Sequence, residues 1–231
     1  MALVCVVCAA LAQPLRSGMD ADRDGHHPVH LGSLLRPVRL VLAHRSLSTM
    51  AACSFMFSMV QMSLTTYLVT YLNQDLAFGL VAAGLALSAA QMGGVAGRIA
   101  WGYIADRWLG ASRTLMLLAG LMVVSALATT LLSSQTPQWL LVPVLVVFGA
   151  SAIGWNGVYL AEVARQAPAG QASLATGGTL AFTFLGVVIG PPVFGLLATV
   201  FGTYRAGFFA LMGVASLCGL LLWQLRRSRS A

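Results

Sequence analysis

Long apolar runs separated by short polar segments occupy the chain from residue 46 to residue 225. Each run has about 20 residues or more, which is the length that a helix needs to cross a bilayer core of about 30 Å. The short alternating segments of a transmembrane β-barrel are not seen. The runs cover residues 48–72, 79–104, 114–133, 139–163, 172–200 and 206–225. The pattern predicts an all-α polytopic membrane protein with a six-helix transmembrane domain over residues 46–225.

Composition excludes an ordinary soluble domain and points to the lipid bilayer as the main partner. Charged residues make up 8% of the chain and hydrophobic residues 58%, with a mean hydropathy of +0.85. Soluble domains carry about 25% charged residues. A pI near 9.9 suggests nucleic-acid binding in a soluble protein. Here the basic residues lie mostly between apolar runs, so no nucleic-acid partner is expected.

The distribution of arginine predicts how the helices are oriented. All 13 basic residues are arginine, and with six spans eleven of them fall on one side. Arg205 alone falls on the other side, and Arg98 lies within a span. By the positive-inside rule the eleven-arginine side is cytoplasmic, which places the protein in a plasma (inner) membrane with residues 16–45 and the basic tail 226–231 inside. The eleven are Arg16, Arg23, Arg36, Arg39, Arg45, Arg107, Arg113, Arg165, Arg226, Arg227 and Arg229.

Residues 1–45 differ from the rest of the chain. Residues 1–13 form an apolar run too short to cross alone, and this run has two interpretations. It resembles the apolar region of a signal peptide with an Ala10–Leu11–Ala12 cleavage site, but no basic residue precedes it. We favour the alternative that residues 1–15 are the end of a truncated preceding helix and residues 16–45 a cytoplasmic central loop. Within that loop, residues 33–45 alternate apolar and basic positions and predict a short amphipathic surface helix.

No enzymatic chemistry, metal or cofactor is predicted. The four cysteines lie in apolar segments, and the histidines near residue 27 lack a fourth ligand on an ordered element. The spans contain no Ser/His/Asp group, and no glycine-rich phosphate loop is present. The cysteines are Cys5, Cys8, Cys53 and Cys218, and the histidines near residue 27 are His26, His27 and His30.

A motif after the second span carries a family resemblance. Residues 97–113 read GRIAWGYIADRWLGASR. They resemble the G-x-x-x-D-R-x-G-R-[KR] signature of the major facilitator superfamily, which lies in cytoplasmic loops of both six-helix halves. One extra residue separates the arginine from the second glycine, and Ser112 stands at a place that is usually basic. The matching positions are Gly102, Asp106, Arg107, Gly110 and Arg113.

The resemblance implies that this loop acts as a latch in the transport cycle. Gly102 is expected to allow a close helix approach, and Asp106 with the arginines to form a charged cluster at the rim. Glu162, at the end of the fourth span, is a candidate partner for Arg107 or Arg113. The alternative is that these charges only mark the membrane boundary.

The fifth span carries a glycine–proline motif over residues 186–195. It resembles a motif that the superfamily places in the fifth helix of its first half and that is associated with antiporters; here it would lie in the second half. Proline removes a backbone donor and kinks a helix, so a structural bend is the interpretation we favour. The motif positions are Gly190, Pro191, Pro192 and Gly195.

Arg98 is the leading candidate for a substrate-binding residue. A charged residue within a span costs about 2.5–3.5 kcal/mol, so its presence needs an explanation. It lies eight residues before Asp106, or about 12 Å along the helix, and shares a face with Gln91 and Ser88. We expect it to bind an anionic solute, because members of the superfamily that carry oxalate or monocarboxylates are similar in placing an arginine in this helix. The alternative is a bond to backbone carbonyls or to a neighbouring helix.

Three further polar side chains within spans are predicted to line the same cavity. Gln61 lies on a polar stripe of the first span, and Asn156 and Tyr159 lie on the fourth. The resemblance implies that the first and fourth helices of each half face the cavity. No Asp or Glu lies well inside a span, so a proton carrier would belong to another part of the protein, while exchange and uniport are equally compatible.

The chain is thus identified as the C-terminal six-helix half of a major facilitator transporter, covering about residues 46–229. We expect secondary transport of a small solute, such as an organic anion or carboxylate, by alternating access between two halves. The expected partner is a missing N-terminal six-helix half or a second copy of the chain. The competing interpretations are a half-transporter active only with a second chain and a non-transporting membrane fragment.

Overall fold

The computed structural model describes residues 35–230, with side chains through Arg227. Several predictions fall on residues 1–34 and lie outside the described residues. They are the truncated preceding helix, most of the central loop, the first cysteine pair and the three neighbouring histidines.

The described chain is helical, and no strand is found between residues 35 and 230. A short helix, α1, lies within the segment for which an amphipathic helix was expected. The third helix ends in a π-helical turn, Ala105–Leu109. The helices are α1 (Arg36–Ala43), α2 (Arg45–Gln74), α3 (Leu80–Ile104), α4 (Ala111–Leu131), α5 (Gln138–Gly154), α6 (Asn156–Gln166), α7 (Ala172–Phe201) and α8 (Tyr204–Ser230).

Within residues 35–230, six segments are long and apolar enough to cross a bilayer, which confirms the predicted six-span fold class. The fourth of them is interrupted, because α5 ends at Gly154 and α6 begins at Asn156. The predicted basic tail after residue 225 is also helical, since α8 continues to Ser230. The six segments are Arg45–Gln74, Leu80–Leu109, Ala111–Leu131, Gln138–Gln166, Ala172–Phe201 and Tyr204–Arg227.

The bundle is built from three closely packed helix pairs: α3 with α5, α2 with α7, and α4 with α8. Helix α2 also packs on α8, and α1 packs on α7. Buried aromatic rings join the pairs, including Phe57 against Trp155 (5.3 Å between ring centroids) and Tyr71 against Phe208 (4.9 Å). The outer faces of α3 and α7 carry many exposed apolar side chains, as expected of surfaces that meet lipid or another protein.

The two ends of the bundle differ in charge. One end gathers the start of α2, the π-helical turn, the start of α4, the end of α6 and the end of α8. We call it the arginine-rich end, since all but two of the arginines with described side chains lie there. At the opposite end, the Asp75 carboxylate accepts hydrogen bonds from Thr203 Oγ1 (2.7 Å) and from the backbone N–H of Tyr204 (2.9 Å). Asp75 thereby caps α8 from the end of α2.

Candidate functional site

The interruption of the fourth span carries a polar cluster. Trp155 separates α5 from α6, and Gly154 and Gly157 enclose the pair Trp155–Asn156. Its indole Nε1 donates a hydrogen bond to Gln61 Oε1 of α2 over 3.1 Å. Asn156 Nδ2 donates to the same Gln61 oxygen over 3.4 Å. One amide oxygen of α2 thus accepts hydrogen bonds from the residue at the break and from the first residue of α6.

Arg98 of α3 joins this cluster through a backbone carbonyl. Its Nε donates to the Ile153 carbonyl oxygen over 3.4 Å, and Asn156 Nδ2 lies at the same distance from that oxygen. Arg98 makes no other hydrogen bond or ion pair with residues 35–230, so one of the five guanidinium N–H donors is engaged. We call Gln61, Arg98, Trp155 and Asn156 the polar cluster. Arg98 lies eleven residues before the end of its span at Leu109, or about 17 Å along the helix.

Close packing of α3 on α5 brings Arg98 to the break. A Cβ built at Gly97 would lie 2.6 Å from the Ala150 carbonyl oxygen, and one at Gly154 would lie 3.0 Å from the Gly97 carbonyl carbon. Only glycine permits this approach. Trp101 fixes it with a hydrogen bond from Nε1 to the Ala150 carbonyl oxygen over 2.9 Å.

The close approach does not involve Gly102, and that expectation is corrected. A Cβ at Gly102 would meet no other atom within 4 Å. The physical reason is the helix period: Gly102 is five residues from Gly97 and therefore points away from α5.

The other two predicted substrate residues, Gln91 and Tyr159, lie outside the polar cluster, one exposed and the other buried. Gln91 is exposed on α3, two turns before Arg98 and on the same side of the helix. Tyr159 is buried, with its ring edge-on to Trp155 at 5.2 Å between centroids. Its hydroxyl lies near those of Ser54 and Thr179 but makes no well-aligned hydrogen bond with a described residue. Tyr159 therefore supports Trp155 from the α2–α7 side.

The predicted latch motif forms a π-helical turn at the arginine-rich end. The N–H of Gly110 bonds the Ala105 carbonyl oxygen over 2.9 Å, which closes the wider π turn. Gly110 then leaves the helix with φ +76°, a conformation that favours glycine. Asp106 and Arg107 are exposed and make no ion pair with a described residue. The expected cluster of Asp106 with the arginines is therefore absent within residues 35–230.

Glu162 is the buried carboxylate at this end of the bundle. It is 5% exposed and accepts a hydrogen bond from Gln166 Nε2 over 2.6 Å. Its Oε2 lies 3.8 Å from Arg165 Nη1. Gln166 in turn accepts a hydrogen bond from the hydroxyl of Ser46, so this network ties the end of α6 to the start of α2.

The glycine–proline motif lies within α7, which continues as one helix through both prolines. A Cβ at Gly190 would lie 2.8 Å from Met59 Cα of α2, and one at Gly195 would contact the Tyr67 hydroxyl. These glycines therefore face α2. The glycines of the motif therefore allow α7 and α2 to pack closely. The predicted bend at the prolines stays a prediction.

A cavity of about 690 Å³ opens at the opposite end, between the end of α2, the end of α7 and the start of α8. Tyr67, Asp75, Thr199 and Tyr204 line it. Asp75 is the sole acidic residue with a described side chain at this end. No three His, Cys, Asp or Glu side chains among residues 35–230 lie close enough to hold a metal ion.

Trp155 is the residue of the polar cluster that sequence reasoning missed. It lies four residues before Tyr159, which is the spacing of one face of a continuous helix, so the spacing alone does not reveal the break. The signal that marks the break is the pair of glycines at 154 and 157 enclosing Trp155 and Asn156, because glycine weakens a helix interior on both sides. Ile153 contributes through its carbonyl oxygen, which no side-chain pattern reveals.

The fold defines a polytopic helical membrane protein whose fourth span is interrupted where it meets polar side chains of neighbouring helices. The comparisons with known proteins agree. The sequence profile described as Major Facilitator Superfamily matches residues 1–179. The chain therefore belongs to the Major Facilitator Superfamily. A search of curated proteins found no match.

Two solved structures share the fold. The E. coli fucose:proton symporter FucP superposes with a TM-score of 0.68 at 17% identity, over 90% of this chain and 48% of that chain. A bacterial homologue of the iron transporter ferroportin, in an outward-facing state, superposes with a TM-score of 0.64 at 12% identity, over 92% of this chain and 52% of that chain. The chain thus spans about half of the length of the solved structures that it matches.

Proposed function

We propose that the chain forms one half of a secondary transporter that moves a small solute by alternating access. The observation that carries this proposal is the polar cluster at the break of the fourth span, within a Major Facilitator Superfamily fold. Broken helices place backbone carbonyls and side chains together at a depth where regular helices present only apolar groups. Such a place binds solute without exposing unpaired polar groups to lipid.

The solute class that fits best is a small organic anion. Arg98 supplies a positive charge within a span, and its one hydrogen bond to a described residue is long. The remaining guanidinium donors form a fork that matches the two oxygens of a carboxylate. Gln61 and Asn156 offer neutral donors and acceptors beside it.

A second six-helix unit is proposed to complete the site, either an N-terminal half or a second copy of the chain. Arg98 and Gln91 are exposed on α3, on a helix whose Val95 and Ile99 are also exposed. An arginine that faces lipid at this depth is costly, whereas one that faces a water-filled cavity between two halves is not. The apolar side chains beside it suit the rim of such an interface.

The arginine-rich end is proposed to face the cytoplasm of an inner membrane, by the positive-inside rule. The π-helical turn with Asp106 and Arg107 then lies at the cytoplasmic rim, exposed and available to contact the second unit when the cavity closes. In this proposal Asp106 and Arg107 form the latch of the transport cycle. Neither has an ion-pair partner among the described residues in the present conformation.

The test is uptake of radiolabelled small carboxylates by proteoliposomes, with the oligomeric state of the chain measured in the same detergent. Saturable uptake that Arg98→Ala abolishes, and that Arg98→Lys retains in part, supports the anion assignment. Ser216→Ala, an exposed change on α8, is the matched control for folding and insertion. Uptake by Arg98→Ala equal to that of the parent would refute the role of Arg98. A monomer without uptake would refute the two-copy version.

A further inference from the structure

A second cavity, of about 370 Å³, lies at the arginine-rich end and has no part in the solute site. It is enclosed by the start of α4, the end of α6 and the end of α8. Among the residues that line it are Gly110, Ser112, Arg113, Glu162, Arg165 and Arg226. Three separate helices therefore direct one arginine each to the same space.

The charge in this cavity favours an anion. Three arginines against one glutamate leave a net charge of +2 (three minus one). The glutamate is already engaged by Gln166 and Arg165, while Arg113 makes no ion pair with a described residue. Arginine is the side chain best suited to phosphate, because its planar fork donates two parallel hydrogen bonds.

The start of α4 adds donors to the same space. Gly110 caps this helix of 21 residues without a side-chain hydrogen bond, so the first backbone N–H groups of α4 lack a capping acceptor. The Ser112 hydroxyl makes no hydrogen bond with a described residue. These groups reinforce the arginines, because a helix N-terminus attracts negative charge.

The depth of the cavity identifies the source of the anion. The span of α4 begins at Ala111 and that of α8 ends at Arg227, so the cavity opens where the helices leave the apolar layer. Two exposed tryptophans flank this level: Trp108 is 68% exposed and Trp223 is 47% exposed. Exposed tryptophan is typical of the interface between hydrocarbon and lipid headgroups. At this level of a bilayer the anionic groups are the headgroups of anionic phospholipids, each of which carries a phosphate.

We propose that the cavity at the start of α4 binds the phosphate group of an anionic phospholipid headgroup. Arg113 and Arg226 contact the phosphate directly, and Arg165 completes the positive surface while it remains paired with Glu162. Bound in this way, one lipid ties together the ends of α4, α6 and α8.

The experiment measures lipid binding to the full chain by native mass spectrometry, with phosphatidylglycerol and phosphatidylcholine as probes. The test variant is Arg113→Gln/Arg226→Gln. The control, Arg39→Gln/Arg227→Gln, removes the same charge at the same end from residues that do not line the cavity. We expect phosphatidylglycerol to bind on the order of 20-fold more weakly to the test variant and within about twofold of the parent to the control.

Three outcomes would overturn the proposal. If phosphatidylcholine bound as tightly as phosphatidylglycerol, the cavity would not require a net negative charge on the lipid. Equal losses in the test and control variants would show a diffuse electrostatic attraction rather than a site. Displacement of phosphatidylglycerol by inorganic phosphate at equal concentration would make the free anion the ligand. Arg226→Gln alone, an exposed change near the chain end, repeats the comparison if the double variant does not fold.

Discussion

Replacing Asp75 is expected to destabilise the bundle although this residue lies far from the polar cluster. Its carboxylate accepts two hydrogen bonds from the start of α8, at 2.7 Å from Thr203 Oγ1 and 2.9 Å from the Tyr204 N–H. Asp75→Ala removes both bonds and leaves the first turn of α8 without its acceptor. Asp75→Asn keeps an acceptor oxygen but loses the charge.

The magnitude follows from these two bonds. A hydrogen bond to a charged group contributes about 1.5–3 kcal/mol, and a negative charge at a helix N-terminus about 0.3–1 kcal/mol. Asp75 is half-buried, so the low end of each range applies. We expect Asp75→Ala to lower the free energy of unfolding by about 3 kcal/mol and Asp75→Asn by about 1 kcal/mol. Thr203→Ala removes one of the bonds and a helix cap, and we expect it to lower the free energy of unfolding by about 1 kcal/mol.

The assay is reversible unfolding of the detergent-solubilised chain in sodium dodecyl sulfate, followed by circular dichroism. Asp106→Asn is the control, because Asp106 is exposed and has no partner among residues 35–230; its effect should stay within about 0.5 kcal/mol. The double variant Asp75→Ala/Thr203→Ala should lose less than the sum of the single changes. An Asp75→Ala variant as stable as the parent, or strict additivity, would refute the capping role.

Three further predictions follow from the packing, the polar cluster and the topology. Gly149→Val should destabilise the chain by about 1–3 kcal/mol in the same assay, since its side chain would overlap the backbone of α3, whereas Gly102→Val should have little effect. Trp155→Phe removes an indole hydrogen bond and should weaken solute affinity about fivefold, measured as the half-saturation concentration of uptake. In cells, an impermeant maleimide should label Gln135→Cys from outside and Ser112→Cys only after permeabilisation; the reverse pattern would overturn the orientation.

Much of the fold was predictable, because the bilayer imposes a simple length rule. An apolar run of about 20 residues has to be a helix when its backbone groups have no water to bond. The six predicted runs accordingly match the six candidate spans. The ends were less well predicted: α2 begins at Arg45 rather than residue 48, since polar side chains at a helix end extend into the headgroup layer.

The candidate site was predicted in part. A charged residue within a span is visible in the sequence and is costly without a functional or structural role. This criterion identified Arg98. Its neighbours were harder to predict. Asn156 and Tyr159 were predicted to line the same cavity, yet Asn156 contacts Gln61 while the Tyr159 hydroxyl lies near Ser54 and Thr179. Both residues lie in α6, and their spacing of three residues turns their side chains about 60° apart around the helix, enough to direct them toward different neighbours.

The sequence by itself determined the class of the protein, the number of spans and the motif that carries the family resemblance. Each follows from short segments read one at a time against a fixed bilayer thickness. Only the tertiary structure decided that Arg98 reaches the Ile153 carbonyl oxygen and that three arginines share one cavity. Those contacts join residues more than 50 positions apart, and they depend on how closely glycines such as Gly97 allow two backbones to approach. Such distances are a property of the packed pair of helices, which neither helix encodes alone.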